Sequence, residues 1–256
     1  MTLQNEFDAV AARFGADPQQ VRRDHLISHV LAAIAAHVTT DDVAFFGGTA
    51  LSRTYLGKAR LSEDVDLIAL RSRADVAAAI QAALAQDLAR SYGRPAWSPS
   101  LISTVGSEPA VLTTVDGARL QIQLLTGDGY QWPTEVVDLH QRYSDAPPAR
   151  MRTLTAPAFA ASKLSAWIDR GAPRDLYDLW ALAENDLITP EALDVFVRFG
   201  QFGAPPSDWV FDRVPAGVDW RRALGHQTIL TIEATDAAQT VRNAWRSAAG
   251  SAADRR

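Results

Sequence analysis

Apolar residues recur at helical spacing near the start of the chain and then change to the patterns of strands. Residues 5–37, interrupted at Asp17-Pro18, predict two consecutive helices. Short β-prone segments bounded by turn residues follow. The predicted strands are residues 43–46, 62–70, 97–104, 110–114 and 119–125, and the predicted helices between them are residues 49–56 and 75–91. The first half therefore predicts a mixed sheet with flanking helices.

The second half of the chain changes to helical periodicity after the proline-containing residues 145–150. The predicted helices here are residues 156–170, 173–185, 190–199, 220–224 and 236–249. We therefore predict an α+β protein of two domains. Residues 1–145 form the sheet domain with its N-terminal helices, and residues 146–256 form a mainly helical domain.

Composition excludes several classes of function. The 256 residues include no cysteine, so disulfide frameworks, thiol nucleophiles and cysteine–zinc sites are excluded, and the five histidines show no ligand spacing such as HExxH. A net charge of -5 argues against a general polyanion binder, which needs clustered Lys and Arg. No apolar run has the length of a membrane span and the first residues lack a secretory signal, so we expect a cytoplasmic protein.

Two aspartates lie one residue apart in the predicted strand at residues 62–70. Alternation along a strand places Asp64 and Asp66 on one face, with Ser62, while Val65 and Leu67 face the other side. Like charges roughly 6.5 Å apart repel unless a cation compensates. Carboxylate oxygens are the ligands of hard divalent cations, so the pair predicts a Mg²⁺ or Mn²⁺ site.

A glycine pair precedes this strand by about fifteen residues. Gly47 and Gly48 allow main-chain N–H groups to approach an anion closely, and a helix is predicted to follow. Hydroxyl donors come from Thr49 and Ser52, and Arg60 can neutralise phosphate charge. A glycine pair is usually a tight turn, and a DxD is usually a solvated strand end, but the two together are the equipment of phosphoryl or nucleotidyl transfer.

The combined motif resembles the nucleotidyltransferase signature of the DNA polymerase β superfamily, a GG-[ST] followed by a [DE]-h-[DE] strand. Its fuller form, GGTAL with RxSxDxDL, resembles the AbiEii family of bacterial toxins, which includes the MenT-like nucleotidyltransferase toxins. The matching residues are Gly47, Gly48, Thr49, Ala50, Leu51, Arg60, Ser62, Asp64, Asp66 and Leu67. The resemblance implies a polymerase β-type mixed sheet, followed by a helical domain that completes the active-site cleft.

A second stretch of the chain also resembles this family. The family carries a K-L-x-A helix and an R-D-x-x-D-L helix, matched here by residues 163–166 and 174–179. Lys163 is then the cation that reaches the triphosphate of a bound NTP. Asp175 and Asp178 are three apart on a helix and share a face, so either one can orient Lys163 or a substrate hydroxyl. Without the first motif, Lys163 would be a solvated lysine and Asp175 an ordinary acid in the first turn of a helix.

One position departs from the superfamily pattern. A third carboxylate is expected on a neighbouring strand, and the best local strand carries Gln121 there. An amide coordinates metal weakly and cannot act as a general base. Either Asp175 or Asp178 supplies that function, or metal alone activates the hydroxyl and the enzyme is slow, or the protein is a nucleotide-binding module without activity.

The resemblance implies transfer of a nucleoside monophosphate from an NTP to the 3′ end of tRNA, which blocks aminoacylation and translation. The same nucleotidyltransferase domain could instead transfer the nucleotide to a protein or a small molecule. A cognate antitoxin is the implied partner, and a phosphate on Ser62 would add about two negative charges beside the metal site. Six arginines are candidate contacts to a nucleic-acid backbone: Arg142, Arg150, Arg152, Arg213, Arg221 and Arg222.

Overall fold

A mixed sheet lies at the centre of the computed structural model, which describes residues 2–129 and 131–253. Within these residues the sheet has seven strands in the order β3-β4-β5-β2-β1-β7-β6. The strands are β1 Val43–Phe46, β2 Asp64–Ala69, β3 Ala96–Trp97, β4 Ala110–Thr113, β5 Arg119–Thr126, β6 Thr134–Asp138 and β7 Arg150–Leu154. β2 pairs antiparallel with β1 and parallel with β5, and β1 pairs parallel with β7. The predicted α+β class is confirmed.

Helices precede the sheet, connect its strands and make up the end of the chain. They are α1 Leu3–Phe14, α2 Pro18–His37, α3 Gly47–Arg53, α4 Arg73–Asp87, α5 Ala89–Tyr92, α6 Ala156–Arg170, α7 Pro173–Glu184, α8 Pro190–Phe199, α9 Gly217–Leu224 and α10 Ala234–Ala253. The Asp17 side chain caps α2 by accepting from the Gln20 N–H, and Pro18 occupies the first turn. No helix within the described residues is long and apolar enough to cross a membrane.

The described chain divides into two compact units. Unit 1 comprises residues 2–129 and 135–153, and it contains α1–α5 and most of the sheet. Unit 2 comprises residues 131–134 and 154–253, and it contains α6–α10 with a 3-10 helix at Asp208–Phe211. The core of unit 2 is built around buried tryptophans, of which Trp167 and Trp220 donate their indole N–H groups to main-chain carbonyls.

Several predicted elements differ from the observed ones. Strands β6 and β7 were not predicted, although β7 lies beside β1 inside the sheet. The strand predicted at residues 97–104 ends at Trp97, because the next residues fold into a turn in which the N–H groups of Ser103 and Thr104 donate to the Ser100 carbonyl. Helix α3 begins at Gly47, two residues earlier than predicted.

A buried ionic network joins three segments of unit 1. Asp24 on α2 accepts from Arg53 at 2.8 Å, from Arg142 at 3.1 Å and from the Tyr143 hydroxyl at 3.1 Å. Arg53 lies at the end of α3, whereas Arg142 and Tyr143 belong to the segment of residues 139–149. Burial lowers the pKa of Arg53 to about 10, so its guanidinium group stays charged at neutral pH. The network therefore fastens α2, α3 and residues 139–149 together.

The prediction that Arg142 contacts nucleic acid is wrong. Its side chain is only 5% exposed and is committed to Asp24 and to the main-chain carbonyls of Ser52 and Gly57. A guanidinium group buried against a carboxylate is not presented to a backbone phosphate at the surface.

Replacing Asp24 by alanine should lower the free energy of unfolding by about 3–5 kcal/mol, because Arg53 would remain buried without its counter-charge. The matched control is Asp41→Ala, since Asp41 also pairs with an arginine, Arg152 at 2.9 Å, but is 72% exposed. Its loss should stay within about 1 kcal/mol. Urea unfolding measures both variants, and equal losses would show that the network is not what holds these segments.

Candidate functional site

The predicted glycine and aspartate residues lie at the turn that connects β1 to α3 and at the start of β2. The antiparallel register places Phe46, the last residue of β1, beside Asp66. Asp64 and Asp66 are partly buried, and the intervening Val65 is fully buried on the opposite face of the sheet. The two carboxylates therefore share one face, at the point where the chain turns from β1 into α3.

Gly47 makes this turn with a positive φ of 78°. A Cβ atom built on Gly47 would lie 2.1 Å from Asp66 Oδ2, far inside van der Waals contact. The Asp66 carboxylate thus lies directly against the main chain of Gly47. Both the backbone conformation and the close approach require glycine at this position.

Arg60 and Ser62 lie beside the second glycine. A Cβ atom on Gly48 would lie 2.7 Å from Arg60 Nη2 and 3.3 Å from Ser62 Oγ. Arg60 is 3% exposed, and its Nη1 donates to the Leu61 carbonyl at 3.1 Å. The structure therefore brings Gly48, Arg60 and Ser62 together around the same turn.

The hydroxyl groups of Thr49 and Ser52 are both buried and both donate to the main chain. Thr49 Oγ1 donates to the carbonyl oxygen of Asp64, which ties α3 directly to β2. Ser52 Oγ donates to the carbonyl oxygen of Thr49 at 3.0 Å. Thr49 thus acts here as a positioning residue for Asp64, and direct phosphate contacts from the two hydroxyls stay predictions.

The neighbouring strand β5 places amides beside the carboxylates. The parallel register pairs Asp64 with Gln121 and Asp66 with Gln123. Residues paired in register point to the same face of a sheet, so both glutamines accompany the aspartates. Gln121 is exposed, whereas Gln123 donates its amide to the carbonyl oxygen of Ser107. Gln121 thus lies at the third carboxylate position, as the sequence predicts, and Gln123 is a second glutamine on the same face.

The donor set at this turn fits a hard divalent cation. Two half-buried carboxylates on one face, with amide oxygens on the next strand, offer only oxygen ligands. Oxygen ligands suit Mg²⁺ and Mn²⁺, and two carboxylates leave coordination positions for substrate phosphates. Asp64 and Asp66 are the residues that would hold such an ion.

The predicted residues of unit 2 contact one another directly. Lys163 on α6 lies 2.7 Å from Asp178 Oδ2 and 3.3 Å from Asp175 Oδ1, both on α7. Asp175 is fully buried and also accepts from Arg170 at 2.6 and 2.9 Å. The two carboxylates, three residues apart on one helix, thus orient Lys163.

One group of potential metal ligands was missed in the sequence. His25 and His29 on α2, together with Asp145, bring one ligand atom each within 4.8 Å of one another. Burial and the neighbouring His25 lower the pKa of His29, which favours its neutral, ligating form. The spacing of four residues on one helix was the available signal. The statement that the histidines show no ligand spacing is wrong for this pair.

Comparison with known proteins identifies the family and the fold. The family model described as "Nucleotidyl transferase AbiEii toxin, Type IV TA system" matches residues 29–251. Among solved structures, MenT4, a nucleotidyltransferase toxin from Mycobacterium tuberculosis H37Rv, aligns with a TM-score of 0.71 at 17% identity, covering 96% of this chain and 88% of that one. A protein from H. pylori, described as a nucleotidyltransferase, aligns with a TM-score of 0.59 at 17% identity, covering 94% and 99%. A comparison with curated protein sequences gives no match.

Replacing Gly47 by alanine should lower the free energy of unfolding more than replacing a glycine that has a similar positive φ and no close neighbour among the described residues. Gly117 is that control, with a φ of 85° and no described atom within 4 Å of an added Cβ. Gly117→Ala should cost about 1–2 kcal/mol through backbone strain alone. Gly47→Ala should cost more, because it also displaces the Asp66 carboxylate. Urea unfolding of both variants tests this, and equal costs would show that the Gly47–Asp66 approach is relaxed without penalty.

Proposed function

Because the chain belongs to the AbiEii family of nucleotidyltransferase toxins from type IV toxin–antitoxin systems, we propose that it transfers a nucleoside monophosphate from an NTP to the 3′ end of tRNA. The proposal assigns Mg²⁺ or Mn²⁺ to Asp64 and Asp66. A tRNA whose 3′ end has been extended cannot be aminoacylated, so translation would stop.

The observation that carries this proposal is the contact between the glycine turn and the aspartate strand. Asp66 lies against Gly47, and Arg60 lies against Gly48. Carboxylates, the Arg60 guanidinium group and main-chain N–H groups therefore converge on one turn. A divalent cation, when bound, would screen the repulsion between the carboxylates and the triphosphate. This chain supplies the carboxylates for that ion, and Arg60 and the turn supply positive potential for the phosphates.

The reaction is an in-line displacement at the α-phosphorus of the NTP. The acceptor hydroxyl oxygen forms the new bond to phosphorus, and the bond from the α-phosphorus to the bridging oxygen breaks. Pyrophosphate leaves with the electron pair, and the hydroxyl loses its proton. The residues of β5 beside the aspartates are Gln121 and Gln123, and an amide cannot accept this proton. The proton therefore passes to solvent or to a carboxylate outside β5. Positioning of the two reactants is then the main contribution of the protein.

Lys163 is assigned to the triphosphate, with Asp175 and Asp178 as the residues that orient its ammonium group. The support is the match of the K-L-x-A and R-D-x-x-D-L segments to the family pattern. The contact distances of 2.7 and 3.3 Å within unit 2 give Lys163 a fixed position. A lysine with a fixed ammonium group loses little side-chain entropy when it binds an anion.

Asp64→Ala should abolish nucleotide transfer, because the remaining carboxylate cannot hold the cation against the triphosphate. Glu63→Gln is the control, since Glu63 is the adjacent acid but pairs with Arg23 at 2.9 Å. The measurement incubates each protein with each labelled NTP and total RNA, and separately with protein extract. Label in the tRNA fraction, lost in Asp64→Ala and kept in Glu63→Gln, is the expected result.

Label in the protein extract alone would replace tRNA by a protein acceptor. Label in neither fraction would leave a nucleotide-binding module or a small-molecule acceptor in place of the proposed reaction. Toxicity of the Asp64→Ala variant in an inducible bacterial host, if equal to that of the wild type, would contradict the enzymatic proposal altogether.

Family membership implies a cognate antitoxin, and Ser62 is the residue through which we propose that it acts. The Ser62 hydroxyl lies beside Gly48, in the corner that also contains Arg60. A phosphate on this hydroxyl would bring about two negative charges to the place assigned to the NTP phosphates. Competition for Arg60 and repulsion from Asp64 would then block nucleotide binding.

Ser62→Asp should lose nucleotide transfer, because the new carboxylate repels the triphosphate, whereas Ser62→Ala should retain it. Both variants are assayed with labelled NTP and total RNA after urea unfolding has shown that they fold. Full activity of Ser62→Asp would contradict control through charge at this position. Loss of activity in both variants would show that the hydroxyl itself is required.

A further inference from the structure

From the geometry around His25, His29 and Asp145 we infer a second metal site in unit 1, of the zinc class. The ligand atoms are the two Nε2 nitrogens and Asp145 Oδ2. None of the three residues belongs to the set assigned to nucleotide transfer. The site carries a Zn²⁺ ion with one further position open to water.

The distances between the ligand atoms match the edges of a tetrahedron around zinc. His25 Nε2 lies 3.3 Å from His29 Nε2 and 3.1 Å from Asp145 Oδ2, and His29 Nε2 lies 3.4 Å from the same oxygen. Zinc bonds of about 2.0–2.1 Å place tetrahedral ligand atoms about 3.3–3.4 Å apart. Three ligand atoms of two residue types therefore converge at the spacing that a single zinc ion requires.

The first histidine is held in a fixed orientation. Its Nδ1 contacts the Tyr92 hydroxyl, and its ring packs edge-on against Phe7 at 5.0 Å and Tyr143 at 4.8 Å between centroids. With its proton on Nδ1, donated to the Tyr92 oxygen, His25 offers the Nε2 lone pair to a metal. An outer hydrogen bond of this kind sets the tautomer of metal-binding histidines.

Asp145, the third ligand, belongs to residues 139–149, whose position is fixed by hydrogen bonds that involve no metal. The N–H of Ser144 donates to Glu6 at 2.9 Å, and Gln141 donates to the Ser28 carbonyl at 3.1 Å and to the Pro147 carbonyl at 2.9 Å. Asp145 therefore comes to α2 on an ordered segment. The side chains of His25 and His29 are 9% and 10% exposed, whereas that of Asp145 is 40% exposed.

The chemistry of the ligands selects the metal. Two imidazole nitrogens and one carboxylate oxygen suit Zn²⁺, whereas Mg²⁺ prefers oxygen ligands only. His29 and Asp145 also line a surface cavity of about 440 Å³, so the fourth position faces solvent. A bound ion would join α2 to residues 139–149, the two segments that also meet at Asp24.

The experiment titrates Zn²⁺ into the full chain, with any histidine tag removed and metal stripped by a chelator. A competing chromophoric chelator reports affinity, and thermal unfolding reports the shift in Tm. Wild type should bind Zn²⁺ stoichiometrically with a rise in Tm, because the ion binds only the folded site. His29→Gln and Asp145→Asn should each lose more than the roughly 10- to 100-fold in affinity that removal of an outer-shell partner costs.

His37→Gln is the matched control, because His37 lies on the same helix and contacts Asp87 at 3.0 Å, and no third ligand group joins them among the described residues. It should bind Zn²⁺ as wild type does. Asp64→Asn should also keep the zinc, which separates this site from the oxygen ligands on β2. Substitution by Co²⁺ should give the intense visible absorption of a four-coordinate ion in wild type.

Absence of Zn²⁺ binding in wild type would overturn the site. So would equal affinity of wild type, His29→Gln and Asp145→Asn. If His29→Gln does not fold, Asp145→Asn decides alone, since Asp145 lies on an exposed part of its segment. A Co²⁺ spectrum of the weak octahedral type would also contradict the assigned ligands.

Discussion

Asp24 is the residue on which the arrangement of unit 1 depends. It is 2% exposed and receives donors from α3 and from residues 139–149, so one buried carboxylate fixes the separation of three segments. Two arginines connect Asp24 to the helix that starts at Gly47. Arg53 lies at the end of that helix, and Arg142 also donates to the Ser52 carbonyl. A buried charge tolerates little displacement, because any gap leaves it unsolvated. The position of the glycine turn follows from this contact.

A second set of constraints acts from the other end of α3. Thr49 donates to the main-chain carbonyl of Asp64, and the Asp66 carboxylate lies against Gly47, so α3 and β2 are joined at two alternate positions of the strand. The positions of the two carboxylates are consequently fixed by main-chain contacts and by the space that glycine leaves at position 47. Carboxylates that already have a fixed position lose little entropy on binding a cation, which favours the metal and triphosphate site proposed above.

The sequence predicts the candidate site better than the sheet that carries it. Residues 47–66 are contiguous, and their chemistry follows from alternation along one strand and from glycine conformations. Both the glycine turn and the aspartate pair could therefore be predicted. β7 was missed because it has only five residues, RMRTL, two of them arginines, and it closely follows the prolines at 147 and 148. The buried state of Arg142 and the meeting of His25 with Asp145 depend on contacts between residues far apart in the sequence, which leave no local pattern. In contrast, the shared face of Asp175 and Asp178 depends on helical spacing, which is local and was predicted.

The parallel pairing of β1 with β7 affects how the chain is made. Ala44 pairs with Arg152, so one side of β1 stays open until the ribosome has added the intervening residues. At about 5–20 residues per second this interval lasts on the order of ten seconds. Residues 139–149, which bring Arg142 to Asp24, are synthesised late in the same interval. The nascent chain therefore carries the glycine turn and both aspartates before it contains Arg142 and β7, so unit 1 is completed only after more than half of the protein has been translated.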